Sequence, residues 1–524
     1  MKKFLKPFRV VVSLIFLLFT TFIFLDFSEI LSTSQIRAIT WLQFIPSVLK
    51  FINVLGIAAI GFAVVLVLTM LFGRVYCSTI CPLGIMQDVV NYVSGKFNKR
   101  RRIFRYSKAK NYWRYGFLAL TILFLLAGSI TALNFLDPYS IYGKIASGAF
   151  RPLYVGINNE LSGILQSMNI YTISPVDLKS TNYIALIFPV FMLGLVGYLS
   201  YTRGRLYCNS VCPVGTFLGL VSRFSLYKID IDEKGCDMCG RCSAKCKAQC
   251  IDIKNKKVDF SRCVGCFNCL PSCPNGSIGY TLDYLKSTSN VENTASAGKR
   301  DFLKSAGTFL LAMVGVNNLI KAGDSSSVEV TKKTVIPEDK QYPVTPPGSL
   351  GIEHFTNYCT ACHLCVSACP AHVIKPSTLQ YGLQGFMQPH MDYHSSFCTY
   401  DCTICSEVCP TGAIMPLNLK EKKTTQLGKV IFIKESCVVF TENTACGSCS
   451  EHCPTQAVKM VPYKDDLTIP ETDPDICVGC GACEYACPTR PFRAIYVDGN
   501  PTHQVAKMPT SEKVEEGGLE EFPF

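Results

Sequence analysis

Histidine is absent from the first 350 residues of this 524-residue chain; all seven lie beyond that point. Apolar helices in the first half therefore cannot hold a bis-histidine haem between them, which excludes a cytochrome b. Charge is scarce as well: 17% of residues are charged against 48% hydrophobic. That balance excludes a disordered chain and a purely soluble enzyme. No flavin or molybdopterin domain and no pocket for a terminal substrate can be read from the residues. What the chain has in excess is cysteine, 29 in all.

Four apolar runs predict transmembrane helices: Val10–Leu25, Phe51–Phe72, Tyr115–Leu136 and Tyr183–Tyr201. The last three match a hydrocarbon core about 30 Å thick at about 1.5 Å per residue. The first is shorter and needs Arg9 and its neighbours to snorkel. A cleaved signal peptide is its rival reading, but Leu25-Asp26-Phe27-Ser28-Glu29 follows where a small-x-small cleavage site would stand.

The net charge of +12 is unevenly spread: residues 1–287 carry +19 and residues 288–524 carry −7. The excess clusters beside apolar spans, so it is no signal for nucleic acid. Lys2, Lys3, Lys6 and Arg9 precede the first run, and nine Lys and Arg lie between Lys96 and Arg114. The loops 26–50 and 137–182 hold few. Positive-inside orientation puts the N-terminus, the 73–114 loop and the chain after residue 202 in the cytoplasm.

The membrane half is an internal repeat. Gly73-Arg74-Val75-Tyr76-Cys77-Ser78-Thr79-Ile80-Cys81-Pro82-Leu83-Gly84 returns as Gly204-Arg205-Leu206-Tyr207-Cys208-Asn209-Ser210-Val211-Cys212-Pro213-Val214-Gly215. Two parallel helical hairpins with one CxxxCP pair each should gather four thiols by pseudo-symmetry. Cys77, Cys81, Cys208 and Cys212 could hold a cluster, act as redox thiols or sit near a quinone.

Six further segments fit the bacterial ferredoxin run. Three fit without departure: Cys263, Cys266, Cys269 and Cys273; Cys359, Cys362, Cys365 and Cys369; and Cys477, Cys480, Cys483 and Cys487, each followed by proline. Two widen the first gap: Cys398, Cys402, Cys405 and Cys409, and Cys437, Cys446, Cys449 and Cys453. The sixth, Cys236, Cys239, Cys242 and Cys246, has Lys247 in the proline position. Three thiolates at two-residue gaps wrap three irons of a cubane, and the fourth ligates the partner cluster, so the runs should pair. Structural zinc or disulfides would need neither this spacing nor the Cys-Pro ending. Cys359-Thr360-Ala361-Cys362-His363 also matches a c-type haem attachment pattern, but Cys365 and Cys369 continue the ferredoxin register. Cys250 is left over and competes with Cys246 for a ligand position.

These patterns divide the chain into a membrane domain (1–225), a two-cluster ferredoxin-like α+β domain (226–285), a linker (286–349), a four-cluster ferredoxin domain (350–497) and a polar tail (498–524). Within the linker, Lys299-Arg300 before the apolar run Ser305–Ile320 looks like a twin-arginine signal with Lys for the first Arg. One more crossing there would put residues 350–524 in the periplasm. Asp26, Glu29, Asp137 and Asp88 are the few acids near the bilayer. Asp26 and Asp137 are the candidates for taking protons from quinol.

With four helices, two CxxxCP motifs and a trailing pair of ferredoxin runs, residues 1–285 resemble the NapH-type membrane ferredoxins of periplasmic nitrate reductase systems. The regulatory ferredoxins of nitrous oxide reduction share that core. Residues 298–490 resemble the NapG-type partner, a signal-bearing periplasmic protein with four 4Fe–4S clusters. The resemblance implies a quinol dehydrogenase module that oxidises menaquinol or ubiquinol and passes electrons through six clusters to a soluble terminal reductase. A maturation factor feeding metal-centre assembly, and a ferredoxin-to-quinone input, are the alternatives.

Overall fold

The computed structural model describes residues 2–26, 30–54, 60–97, 103–176, 183–282 and 340–507. The export-like segment at Lys299-Arg300, the apolar run 305–320, Glu29 and the residues beyond 507 lie outside the described residues.

A helical layer is built from two copies of the repeat. The first comprises α1 (Lys2–Leu25), α2 (Thr33–Thr40), α3 (Phe44–Val54), α4 (Gly61–Phe72), α5 (Tyr76–Thr79) and α6 (Pro82–Phe97). The second comprises α7 (Asn111–Leu126), α8 (Thr131–Leu136), α9 (Pro138–Ile145), α10 (Arg151–Ser167), α11 (Tyr183–Arg203), α12 (Leu206–Ser210) and α13 (Pro213–Ser222). Two of these are long and apolar enough to cross a membrane, over Phe4–Leu25 and Ala185–Arg203. Both leave large apolar side chains exposed, among them Phe8, Val11 and Leu18 on α1 and Ile187, Phe191 and Tyr198 on α11.

The other two expected spans are not single helices. The second run divides into α3 and α4, which pack side by side: the Phe51 and Phe62 rings lie 5.3 Å apart and the Ser47 hydroxyl accepts the Phe62 N–H at 2.8 Å. Gly61 makes this possible, because a Cβ there would strike the Trp41 carbonyl. The third run is cut after Leu126. Gly128, at φ +76°, donates to the Leu125 carbonyl and Ser129 to that of Phe124, a Schellman closure that ends α7 in mid-run. The expected loops 26–50 and 137–182 also carry helices: α2 and α3 in one, α9 and α10 in the other, the latter pair joined by a π-helical turn, Ala146–Phe150.

The two ferredoxin-like modules sit at opposite ends of this layer. In the nearer module β1 (Tyr227–Ile231) pairs antiparallel with β4 (Ile278–Leu282), and β2 (Ile251–Asp252) with β3 (Lys257–Val258). It docks where α1 begins. Leu226 N–H donates to the Met70 carbonyl, and the buried Arg74 and Arg114 both donate to the Ser261 carbonyl at 3.1 Å. The stretch 103–110 crosses the same module, Phe104 N–H donating to the Ala244 carbonyl.

The farther module has three antiparallel pairs: β5 (Ile374–Pro376) with β6 (Pro389–Met391), β8 (Val458–Pro462) with β9 (Thr468–Thr472), and β7 (Thr425–Phe432) with β10 (Ile495–Val505). It meets the layer where α1 ends. Asn53 and Asn134 donate to the carbonyls of Gly412 and Phe386, and Phe135 stacks on Phe386. Its limits differ from those expected. Lys340 already pairs with Glu484 and Val344 is buried, so the linker ends before 340. The tail is not free from 498 either, because β10 runs to Val505; Gly428 lets β7 close on Asp498, and Gly499 leaves room for the Tyr342 and Pro343 carbonyls.

Burial pushes the imidazoles of His390 and His503 down to about 4, whereas an unfolded chain takes up these protons near 6.5. Between those values the unfolded state binds more protons, so stability rises with pH there. The thermal midpoint of the farther module should be flat above pH 6.5 and fall towards pH 4. Calorimetry of the full chain checks this, and the double variant His390→Gln, His503→Gln should flatten the slope.

Candidate functional site

All 29 cysteines are free of disulfides. Among the described residues no three His, Cys, Asp or Glu side chains close on a single ion-sized point; the thiols stand around pockets instead. Four of the runs share one local device. The residues on either side of the second cysteine have positive φ: Met238 and Gly240 about Cys239, Gly265 and Phe267 about Cys266, Ala361 and His363 about Cys362, Gly479 and Gly481 about Cys480. Left-handed residues on both flanks bend the chain around a centre, a conformation that costs roughly 1 kcal/mol for a side chain other than glycine. At Gly481 a Cβ would lie 2.2 Å from the Tyr393 ring, so no side chain fits. A short helix then carries the third cysteine towards the fourth, as in Leu364–Ala368 and Ala482–Ala486.

The fourth cysteine of each run stands with the partner run. Cys236, Cys239 and Cys242 line one pocket with Cys273, while Cys263, Cys266 and Cys269 line another with Cys246 and Cys250. Cys437, Cys446 and Cys449 line a third with Cys487. The remaining sets follow the same exchange by electrostatic proximity: Cys359, Cys362 and Cys365 with Cys409; Cys398, Cys402 and Cys405 with Cys369; Cys477, Cys480 and Cys483 with Cys453. Each set offers four sulfur donors in an apolar surround, the donor chemistry a 4Fe–4S cubane takes.

Cys250 lies 3.5 Å from Cys246, sulfur to sulfur. The hydrogen bond between them draws Cys246 down to about 7 and holds Cys250 well above its usual value. That bond favours negative charge on Cys246 over Cys250.

Between the modules the CxxxCP repeat closes on itself. Arg74 donates to the Cys208 carbonyl at 3.2 Å, and Arg205 donates to the Cys77 carbonyl at 2.6 Å. Each arginine is fully buried and reaches the other copy. Gly84 and Gly215 leave room, since a Cβ at either would meet both the cysteine carbonyl and the crossing guanidinium. Cys77, Cys81, Cys208 and Cys212 share one buried cluster, and Gln87 donates to the Cys208 sulfur at 3.3 Å. The four thiols lie within electrostatic reach of one another.

Cations flank the thiol sets at both docking faces. On the near side Asp88 takes ion pairs from Arg9, from Arg205 at 2.9 Å and from Lys247 at 3.3 Å, leaving an excess of positive charge beside Cys266. This carboxylate is fully engaged. On the far side Lys144 is completely buried. Its ammonium donates to the Asn134 carbonyl and side-chain oxygen, both at 2.6 Å, and lies over the Phe188 ring. Cys359, Cys362 and Asp137 are the anionic groups in its reach. Asp137 caps α9, accepting from the Ser140 N–H at 2.8 Å and hydroxyl at 2.7 Å, and Asp26 accepts from the Leu31 N–H.

His363, the haem-like histidine, has both ring nitrogens engaged, by the Ser147 hydroxyl and the Met387 carbonyl. Burial first, and Lys144 second, push it down to about 3. Sequence reasoning overlooked Arg74 and Arg205, whose signal was their recurrence in both copies, and Lys144, which has none.

These features define an iron–sulfur electron-transfer protein of ferredoxin type. A 4Fe-4S binding domain model matches residues 54–100 and 184–231, the two CxxxCP copies, and a 4Fe-4S dicluster domain model matches 358–438 and 444–490. The chain is distantly related to an uncharacterised protein of Methanocaldococcus jannaschii, 26% identical over 43% of this chain and 71% of the relative. It is similar to the putative electron transport protein YccM of Escherichia coli, 23% identical over 44% of this chain and 57% of YccM. The ferredoxin-type protein NapH of Haemophilus influenzae is 23% identical over 42% of this chain and 66% of NapH. No solved structure matches the chain.

Two outcomes test the site. Cys250→Ala should keep its cluster and lower that centre's potential, because one hydrogen bond to sulfur is lost, whereas Cys246→Ala should lose iron; iron analysis with EPR titration separates them. Lys144→Met should lower the potential of the Cys359–Cys365 centre alone, by on the order of 1 kcal/mol or some tens of millivolts. A residue that only packs would leave that potential where it was.

Proposed function

We propose that this chain is a membrane-bound conduit that takes electrons from quinol and passes them through six 4Fe–4S clusters to a soluble reductase outside the cytoplasmic membrane. The observation that carries this reading is the placement of the two cysteine-rich modules at opposite ends of one helical layer, with the four CxxxCP thiols between them. The near thiols reach the repeat through Arg205, which bridges Asp88 and the Cys77 carbonyl. On the other side, Asp137 lies within electrostatic reach of both Tyr76 and Cys362. A relay at Cys77, Cys81, Cys208 and Cys212 would shorten the gap across the apolar layer. The cubanes would supply one-electron redox steps; the chain's residues set their spacing, shield them from water and place compensating charge beside them.

The basic half faces the cytoplasm by positive-inside orientation, and the acidic farther module would meet a basic partner outside. The NapH-like relation supports a quinol donor for the helical half, and a NapG-type role for the farther module fits its four thiol sets. One observation favours a second reading: Cys239 is exposed in the near module, where a soluble carrier could exchange electrons and feed quinone instead.

In isolated membranes, menaquinol should reduce the clusters to the same EPR spectrum that dithionite gives, and protease added to intact spheroplasts should digest a C-terminal tag. Reduction by dithionite but not by quinol would overturn the quinol reading. A protected tag, with an external control digested, would leave all clusters on the cytoplasmic side.

A further inference from the structure

The helical layer and the farther module border an open cavity of about 370 Å³ where α2 and α3 face Cys409 and Pro410. That volume suits a ring-sized ligand. Its floor is a cysteine that stands with Cys359, Cys362 and Cys365, the thiol set nearest the layer. Its walls carry two cations, Arg37 on α2 and Lys50 on α3, together with the half-exposed indole of Trp41; no carboxylate lines it. Cationic donors select oxygen acceptors such as carbonyl or phenolate groups, and an indole face suits a flat ring. Arg37 is held on a fixed helix: Ser32 and Gln35 close a capping box at the start of α2. The same helix packs on α1, which also exposes the apolar side chains of Leu18, Phe19 and Phe22.

We propose that this cavity binds the headgroup of a quinol, with Arg37 and Lys50 on its oxygens, Trp41 against its ring, and its isoprenoid tail along the apolar face of α1. The proposal rests on the quinol reading above and adds the place of entry. Quinol oxidation to quinone releases two electrons and two protons. The electrons would leave one at a time to 4Fe–4S clusters that the Cys359–Cys365 and Cys398–Cys405 sets would hold, with Cys409 and Cys369 exchanged between them. The protons leave to solvent on the farther side. The Glu407 carboxylate, which accepts from the Thr403 hydroxyl at 2.8 Å and from Thr33 at the head of α2, lies within electrostatic reach of Arg37 but outside the cavity lining. Substrate oxidation is thus assigned to the end of the layer where the farther module docks.

The test uses the full holoprotein in lipid nanodiscs and a photoreactive probe, 3-azido-2-methyl-1,4-naphthoquinone. Labelling should saturate, be competed by menadione, and map by mass spectrometry to peptides holding residues 34–50 or 404–410. Arg37→Gln and Lys50→Gln should each raise the half-saturating probe concentration at least tenfold, with the cluster EPR spectrum unchanged as proof of folding. Label that maps elsewhere, or saturation indifferent to both substitutions, overturns the site. Menadiol reduction of the clusters keeps the two questions apart. If it persists while the label maps elsewhere, quinol enters at another place; if it fails in the unaltered protein, the quinol reading itself falls.

Discussion

Arg74 and Arg205 each leave their own copy of the repeat and end on the cysteine carbonyl of the other. That reciprocal hold sets the spacing of the four CxxxCP thiols, and the rest of the molecule is arranged around it. Arg74 also donates to the Ser261 carbonyl, so the near module is fixed to the same point, and Arg205 carries the ion pair with Asp88 that anchors the start of α1. Burying a guanidinium is offset by the partners it meets. These are Asn209, Ser261 and Cys208 for Arg74, and Asp88 and Cys77 for Arg205, although Arg74 Nε and Arg205 Nη2 have none among the described residues. The repeated Gly-Arg-x-Tyr-Cys-x3-Cys-Pro-x-Gly pattern supplies what this burial needs: a positive φ at Gly73 and Gly204, and space at Gly84 and Gly215.

Charge follows the same logic at both docking faces. Lys144 meets only neutral oxygens by direct hydrogen bond, and Asp88 is outnumbered by three cations. A buried ion without a counter-ion costs several kcal/mol; the surplus about Asp88 faces Cys266, and Lys144 has Asp137 as well as Cys359 and Cys362 within reach. Ionised thiolates therefore favour docking at both faces.

Much of this was legible beforehand because cysteine spacing is a geometric code. The exchange of fourth ligands between Cys246 and Cys273, and the nearness of the CxxxCP pairs, follow from spacing and repetition alone. Hydropathy was a poorer guide. An apolar run records composition, and it does not reveal that Gly128 closes a Schellman turn within Tyr115–Leu136, or that Gly61 lets α3 lie against α4. The farther module's edges were obscured for a related reason: Lys340, Val344 and His503 read as polar or ordinary residues until their partners Glu484 and Thr345 are known. Lys144 was invisible because a single lysine in a loop of ordinary composition has no pattern to betray it.

The exchange of cysteines between runs also bears on how the chain is made. No cluster set in either module is complete until the second run of its pair has left the ribosome: the Cys236 set waits for Cys273, the Cys359 set for Cys409, and the Cys437 set for Cys487. Iron and sulfide must therefore be delivered to a pair at once, late, and after roughly 40 to 50 residues of apo-chain have emerged. A nascent chain stopped between two runs holds half-built rings of thiols, which marks each pair as the smallest unit that can be matured, inherited or lost.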